Sequence, residues 1–549
     1  MNQRLIEKAD ELISKEKGTI FKDPGGRINI CLVYPNIYSV GMSNLGFQGI
    51  YGLLNKRDDV VCERAFLPDE DDIEEYIRTK TPIFSLESKR PLSRFDIIAF
   101  SISFENDYPD ILKILSLAHI PFYTYERNEF HPILIAGGAC CFFNPEVIAP
   151  FFDIIFIGEA EESLNEFLNV YRGEDKRQLK ERVIGIEGIY IPEFYDIKYS
   201  ADGRISERSS KQGAPEKIKR RYLKDLSLVP IATSIITPEA EFSDMYLIEV
   251  MRGCPWNCRF CIVSQIYKPL RKKNLGFIKE DIKRAKINFK EKNSNIRIGL
   301  IGPSLTDYPH IIDILCNDGV DFSITSLRAS KESAKLVGFM KGHKSVSIAP
   351  EAGTERMRRV INKRVTEENI LETSELILNS GIENLRLYFM IGLPTEDIND
   401  IMGIIELTKK IRSLSDKGKI ILSISTFVPK PFTPFQWHEM ERLDIIKGKL
   451  RFIKKELMHL RNVKVFHDVP KYAHMQGLFS LGNRMVSNVL VKILEREDYK
   501  KACLDAKIDP DFFIFRRKDF NEILPWDFID MGISKEQLWN EYMIALSQV

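Results

Sequence analysis

Tyr246-Leu247-Ile248-Glu249-Val250-Met251-Arg252-Gly253-Cys254-Pro255-Trp256-Asn257-Cys258-Arg259-Phe260-Cys261 sets an apolar run directly against three cysteines at C-x3-C-x2-C spacing. The run reads as a strand and the cysteines as the loop at its carboxyl end. Three thiolates on one short loop suit three irons of a four-iron, four-sulfur (4Fe-4S) cluster, which keeps its fourth iron open to a non-protein ligand. Asn257 and Arg259 lie between the thiols, a pattern that suits a ligand loop better than three core cysteines or a disulfide.

The alternation of strand and helix patterns continues downstream. Residues 296–301 lead into Gly302-Pro303-Ser304-Leu305-Thr306-Asp307-Tyr308, and the next strand ends in Thr325-Ser326-Leu327-Arg328. Residues 345–350 lead into Glu351-Ala352-Gly353-Thr354-Glu355-Arg356, residues 385–391 into Gly392-Leu393-Pro394-Thr395-Glu396, and residues 421–428 into Pro429-Lys430-Pro431. With the strand before the cysteines these make six βα units. Parallel strands carrying functional groups at their carboxyl ends describe a partial (β/α)6 barrel over residues 241–437, with the site placement of full barrels.

Upstream, near-continuous apolar runs at 28–34, 95–101, 132–136 and 153–157 alternate with amphipathic helix patterns. Such runs imply a parallel sheet covered on both faces, a Rossmann-like (flavodoxin-like) α/β domain over residues 27–195. Small residues mark its strand ends: Gly41, Ser43 and Gly46, then Ser101 and Ser103, then Gly137-Gly138, then Gly158-Glu159. Ligands of open α/β sheets lie at the carboxyl ends of the strands, although each glycine alone also fits a turn needing positive φ. Cys140 and Cys141 read as small buried residues, since adjacent thiols do not converge on one iron site.

The strand-end motifs occur in the order used by the radical S-adenosylmethionine (SAM) superfamily, which residues 246–437 resemble over roughly 200 residues. That resemblance implies that Cys254, Cys258 and Cys261 ligate iron and that the open iron takes the amino and carboxylate groups of SAM. It further implies that Phe260 shields the cluster and borders the adenine, and that Glu351 accepts from the ribose hydroxyls. Ser304 and Arg328 face the methionine end, Gly392 passes backbone near the adenine, and Pro429 closes the pocket. Glu351 also fits a helix-cap carboxylate. An external one-electron reductant of flavodoxin or ferredoxin type is the implied partner.

The first domain resembles cobalamin-binding domains, with Ser101-Ile102-Ser103 and Gly137-Gly138 fitting closely and Gly41-Met42-Ser43-Asn44-Leu45-Gly46 keeping only the last glycine. Gly41 and Ser43 stand where those domains carry an aspartate and the cobalt-ligating histidine, so cobalamin and a fold kept for substrate or partner binding both stand open. Ser85-Leu86-Glu87-Ser88-Lys89-Arg90-Pro91-Leu92, residues 304–308 and Leu524-Pro525-Trp526-Asp527 resemble a bacterial and archaeal radical SAM family with this N-terminus. A methylthiotransferase reading fails on the absence of a second cysteine triad.

The remaining segments are an amphipathic helix within residues 1–26, a polar and basic linker at 196–240 whose Lys217–Lys224 run reads as solvated, and a mainly helical region at 438–549. Within that region 443–460 has helical apolar spacing, His467, Asp468 and His474 are acid/base candidates, and 526–546 packs back on the barrel. The 549 residues hold 79 Lys plus Arg against 78 Asp plus Glu, which gives no electrostatic argument for nucleic acid. No apolar stretch approaches the ~20 residues of a membrane helix. Nine cysteines, three of them clustered, suit a reducing compartment and a cytoplasmic location. The readings that stand are a radical SAM transferase with cobalamin, a radical SAM enzyme performing rearrangement or carbon-carbon bond formation without it, and a non-catalytic iron-sulfur protein of electron transfer or assembly.

Overall fold

The run read as the first strand, β1 (Ile28–Tyr34), lies inside a six-stranded sheet. This computed structural model describes residues 2–548, apart from residues 174, 230, 290–295, 318, 325, 341, 342 and 497, and for residues 331 and 334 the backbone alone. Met1 of the N-terminal helix and Thr325 of the third barrel strand fall outside the described residues. From one edge the sheet runs β2 (Val60–Phe66), β1, β3 (Ile97–Ser101), β4 (Ile133–Gly137), β5 (Ile154–Phe156) and β6 (Ile189–Tyr190). All pairings are parallel except that of β6 with β5. The order 2-1-3-4-5 is the flavodoxin-like one, whose ligand crevice opens between β1 and β3.

Two of these strands go beyond the sequence reading. In β2 the charged pair Glu63-Arg64 interrupts the apolar run, yet all seven residues are buried. Arg64 is ion-paired with Glu16 and Glu87, each at 2.7 Å, and Glu63 accepts from the hydroxyls of Ser85 and Ser88 at 2.5 and 2.6 Å. The N–H of Leu86 donates to the Arg64 carbonyl at 2.7 Å, so the Ser85-to-Leu92 motif covers an edge that would otherwise invite strand addition. Charges are tolerated there because each is paired and hydrogen-bonded. β6, with two residues, is too short to show a period.

The segment after this domain is structured. It carries the hairpin β7 (Tyr195–Tyr199) and β8 (Ile205–Ser210) and then β9 (Ile218–Lys219). Arg220 is buried and donates to the carbonyls of Ile266, at 2.9 Å, and Lys268, while Arg221 holds Glu162 and Glu166 at 2.8 Å. The basic run expected to be solvated is therefore partly a clamp between the two domains.

β10 (Met245–Glu249) opens the barrel, followed by the short antiparallel pair β11 (Met251–Arg252) and β12 (Arg271–Lys272). β10 pairs with β13 (Ile296–Ile301), which pairs with β14 (Val320–Ser323). A second parallel sheet runs β15 (Ser326–Leu327), β16 (Ser345–Glu351), β17 (Asn384–Ile391), β18 (Lys419–Thr426) and β19 (Val463–His467). The third expected strand thus serves both sheets. The sheet also continues past residue 437, because β19 adds to β18 within the region read as mainly helical.

Ile248, Ile298, Ile348, Leu387 and Leu422 are fully buried and share one apolar cluster with the helix residues Ile282, Ile377, Ile404 and Ile453, so they pack the strands against their helices. The helix Lys535–Leu546 returns to the barrel, with Trp539 and Tyr542 against Trp437 at ring distances of 5.1 and 6.1 Å. Trp526 Nε1 donates to Gln436 Oε1 at 2.7 Å, so the motif at residues 524–527 packs on the segment that follows Pro431.

Candidate active site at the barrel mouth

The cysteine loop leaves β11 at Gly253, whose φ of +86° and close approach to the Tyr267 carbonyl exclude a side chain: a Cβ there would lie 2.6 Å from that oxygen. The loop turns through Asn257 at φ +49°, and the N–H of Cys261 donates to the Cys258 carbonyl at 3.0 Å. Cys258 is buried, and Cys254 and Cys261 are half-buried. Burial pushes the Cys258 thiol up to about 11, with Lys363 pulling in the opposite direction. Among the described residues no three His, Cys, Asp or Glu side chains gather closely enough for a single metal ion. A 4Fe-4S cluster makes a different demand, since its three thiolates bind three separate irons.

Two cations flank the thiols. The Arg328 guanidinium stacks 3.5 Å over the Trp256 ring and donates through Nη2 to the carbonyls of Lys363 and Arg364, each at 2.7 Å. Lys363 pairs with Glu351 at 3.0 Å. Glu351 sits at φ +66° beyond a register shift that begins after Ile348, an uncommon conformation for a residue with a side chain and of a kind that clusters at functional sites. Trp256 Nε1–H and the Ser304 hydroxyl both donate to Asp307 Oδ2, at 2.6 and 2.5 Å. Trp256, Asp307 and Lys363 carry no assignment from the sequence.

Between barrel and N-terminal domain lies a partly open cavity of about 560 Å³, within the usual range for small-molecule sites. From the flavodoxin-like domain it takes Asn44, Gly46, Ser101, Ser103 and Gly137, the ends of β1, β3 and β4, and it deepens between the sheet and the flanking helices at Ile50 and Leu164. From the barrel it takes Arg252, Gly253, Tyr267, Pro303, Leu305 and Ser326. The cluster cysteines, Ser304 and Arg328 are not in its wall, but residues beside them are.

Four charged residues line this cavity, namely Glu159, Glu161, Glu249 and Arg252. Arg252 holds all three carboxylates: Glu249 through Nε and Nη2 at 2.8 and 2.7 Å, Glu159 through Nη1 at 2.7 Å, and Glu161 through Nη2 at 2.8 Å. Glu159 also accepts from Arg271 and from the Leu223 N–H. Burial pushes Glu159 up, and Arg271 and Arg252 outweigh it, leaving its carboxyl below the usual range. Glu161 has Arg252 alone among these cations, and burial keeps its carboxyl above the usual range.

Two family models match the chain, radical SAM proteins, N-terminal, at residues 46–192, and the radical SAM superfamily at residues 248–408. An uncharacterized protein of Methanocaldococcus jannaschii is 32% identical over 440 residues, covering 78% of this chain and 83% of that protein. The chain belongs to the radical SAM superfamily. A protein of Pyrococcus horikoshii described as an uncharacterized methyltransferase is 24% identical over 325 residues, and the match spans 55% of this chain and 64% of that one. The structure of the cobalamin-dependent S-adenosylmethionine radical enzyme OxsB, with aqua-cobalamin and S-adenosylmethionine bound, covers 95% of this chain and 80% of its own. Its TM-score of 0.49 at 14% identity carries no argument about ligand.

The other expected contacts of this radical SAM chain fall as follows. Phe260 is half-buried against the apolar core beside the cysteines. Gly392, at φ +79°, donates its N–H to Glu396 at 2.9 Å, and a Cβ on it would meet Ile446 and Glu441, so packing alone requires that glycine. Pro429 is buried, and the next residue, Lys430, is ion-paired to Glu105 of the first domain.

Gly41 and Ser43 lie away from the cavity. A Cβ on Gly41 would meet the Phe66 ring at 2.5 Å, and the Ser43 hydroxyl donates to the Ser39 carbonyl and accepts from the Phe242 N–H. Gly138 and Gly158 line the cavity but are required by backbone packing: a Cβ would lie 2.5 Å from the Ile102 carbonyl oxygen and 2.1 Å from that of Arg221. Gly137 has only ordinary contact near its missing side chain and leaves room in the cavity.

His467 is bound to the Asp468 carbonyl, and burial pushes the Asp468 carboxyl up. His474 lies against Tyr499 at 3.2 Å in a separate surface pocket. None of these three residues lines the cavity.

Two substitutions separate roles within the Glu351-Ala352-Gly353 motif. A Cβ at Gly353 would lie 2.1 Å from the Ile404 nitrogen, backbone against backbone, so Gly353→Ala destabilises by about 2 kcal/mol or more. Gly448→Ala, in the open interior of the helix Leu443–Leu457, instead stabilises by about 0.5–1 kcal/mol. Urea midpoints compare them, and equal midpoints would contradict the packing. Glu351→Gln removes a charged acceptor worth about 1.5–3 kcal/mol, so SAM affinity of the reconstituted protein, measured by equilibrium dialysis, falls ~10-fold or more. An unchanged affinity would remove Glu351 from the SAM site.

Proposed function

We propose that this chain cleaves S-adenosylmethionine reductively at a 4Fe-4S cluster held by Cys254, Cys258 and Cys261. The radical chemistry so started acts on a substrate in the cavity between barrel and N-terminal domain, and its outcome is methylation with a corrinoid as second cofactor. The observation that carries this reading is the single cavity into which both the cysteine-loop base at Gly253 and the β1/β3 crevice open.

When bound, the cluster supplies one electron to the sulfonium of SAM. The chain's own residues then have distinct tasks. Three thiolates hold the cluster irons, and Arg328, fixed by Trp256 and two carbonyls, offers its remaining donors to the methionine carboxylate. Glu351 accepts from the ribose and Phe260 covers one side of the loop. The apolar walls, with Ile50, Leu164 and Phe156, limit water around a reactive species.

The residues fit a corrinoid in part. Gly46, Ser101, Ser103 and Gly137 provide room and hydroxyls at the switch point, and the slot between sheet and helices would take a flat tail. A whole corrinoid is larger than the enclosed space and would extend into its mouth. The cavity wall contains no histidine among the described residues, so cobalt would find no imidazole there. That observation favours a second reading, in which SAM is cleaved without cobalamin and rearrangement or carbon-carbon bond formation follows. The description of the Pyrococcus horikoshii relative as a methyltransferase supports the first.

Incubation with hydroxocobalamin followed by gel filtration distinguishes the two. Retention of about one corrinoid per chain, lost in Gly137→Leu, supports methylation, and absence of retained corrinoid sinks it.

A further inference from the structure

The charges around the cavity do not balance. Glu159, Glu161 and Glu249 have two guanidinium groups in ion-pair range among the described residues, Arg252 for all three and Arg271 for Glu159 alone. Three carboxylates against two cations leave one negative charge over, where burial makes an unpaired charge costly. The shortfall falls on Glu161. Glu159 accepts from Arg271 and the Leu223 N–H, and Glu249 takes the forked Nε and Nη2 contact of Arg252. Glu161 is 5% exposed and receives Arg252 Nη2 on Oε1 at 2.8 Å. No other residue reaches its second oxygen among the described residues, although an ionised carboxylate has about four acceptor sites.

A second under-used oxygen stands beside it. Tyr267 lines the same cavity, half-buried, with its ring 5.7 Å from that of Phe142 and its carbonyl accepting from Arg271. Its hydroxyl makes no hydrogen bond among the described residues, and the charges of Arg252, Glu159, Glu249 and Glu161 all act on it. The nearby wall is apolar: Phe142, Met251 next to Arg252, and Val263 one helical turn before Tyr267.

We propose, on the reading of this cavity as the substrate site, that the substrate carries a primary ammonium group on an apolar body and that Glu161 and the Tyr267 hydroxyl hold that group. An ammonium has three N–H donors and no acceptor, which matches the second oxygen of Glu161 and the phenol oxygen, and its single charge completes the balance. Burial raises the Glu161 carboxyl and Arg252 only partly offsets this, so a further cation favours the charged form. A carboxylate at this place would add a fourth negative charge and is rejected. A neutral hydroxyl would leave the excess charge as it is.

Isothermal titration calorimetry of the anaerobically reconstituted chain tests this with three probes of one shape: 2-phenylethylammonium, 2-phenylethanol and phenylacetate. The ammonium binds ~10-fold or more tightly than the alcohol, and phenylacetate binds more weakly than either. Glu161→Gln, nearly the same in shape, lowers the ammonium affinity ~10-fold and leaves that of the alcohol within about twofold. Tyr267→Phe, which touches no ion pair, lowers the ammonium affinity ~3-fold and keeps the test alive should the glutamine variant misfold. Equal affinities for ammonium and alcohol, or an ammonium affinity untouched by both substitutions, overturn the site. S-adenosylmethionine cleavage by the same preparation is read separately. Cleavage without an ammonium preference overturns this assignment alone, and an ammonium preference without cleavage overturns the proposed function alone.

Discussion

Cys258→Ala abolishes the cluster and with it all SAM cleavage, while the flavodoxin-like domain stays folded. Each of the three thiolates serves a different iron, so loss of one leaves a loop with two ligands and no means of holding three corners. Cys258 is the most buried of the three and is the thiol on which the field of Lys363 acts most directly. Its side chain is small and sits on a loop, so its removal disturbs little packing. The expected result after anaerobic reconstitution is a fall from ~4 irons per chain to a trace, with urea unfolding of the first domain unchanged. Cys316→Ala, at an exposed thiol outside the loop, changes neither measurement. A Cys258→Ala protein with full iron content would remove the cysteine triad from the account.

Arg252→Ala produces the largest loss of stability. It leaves Glu159, Glu161 and Glu249 around a cavity with no cation in its wall among the described residues, and breaking a buried pair from one side costs about 3–5 kcal/mol. Lysine keeps the charge but cannot form the forked contacts to three carboxylates, so Arg252→Lys is intermediate.

The pH dependence has a definite sign. In the wild-type chain the carboxyl of Glu159 is held below its ordinary value, so its contribution is complete above about pH 4.3 and is lost as pH falls below that. Without Arg252, Glu161 loses the cation that lowers its carboxyl, which rises further above its unfolded value, and the variant loses stability as pH rises. The gap between wild type and Arg252→Ala in urea is therefore wider at pH 8 than at pH 5.5. An equal gap at both values would show that repulsion among these carboxylates is not the cause.

The sequence carried the barrel well because its strands are apolar and each is followed by a distinctive polar or glycine motif. β2 was hidden by Glu63 and Arg64, whose burial depends on partners from residues 16, 85, 87 and 88 that no local window joins. β19 alternates partly covered and exposed residues and lies among helices.

At the site, spacing pointed to the cysteines, but Asp307 and Lys363 gain their places only when separate strand ends meet. Glycine had more than one meaning. Gly138, Gly158, Gly353 and Gly392 are required by neighbouring backbone or side chains, whereas Gly137 leaves open space. Arg252 and Glu161 passed unmarked because a charged residue on a strand edge acquires its role from the other domain.

The most direct measurement is product formation by the anaerobically reconstituted, chemically reduced protein supplied with S-adenosylmethionine. Methionine and 5′-deoxyadenosine, or S-adenosylhomocysteine where a methyl group is transferred, appear with the wild-type chain and are absent with Cys258→Ala. An intact, reducible cluster that leaves S-adenosylmethionine unchanged would contradict the account.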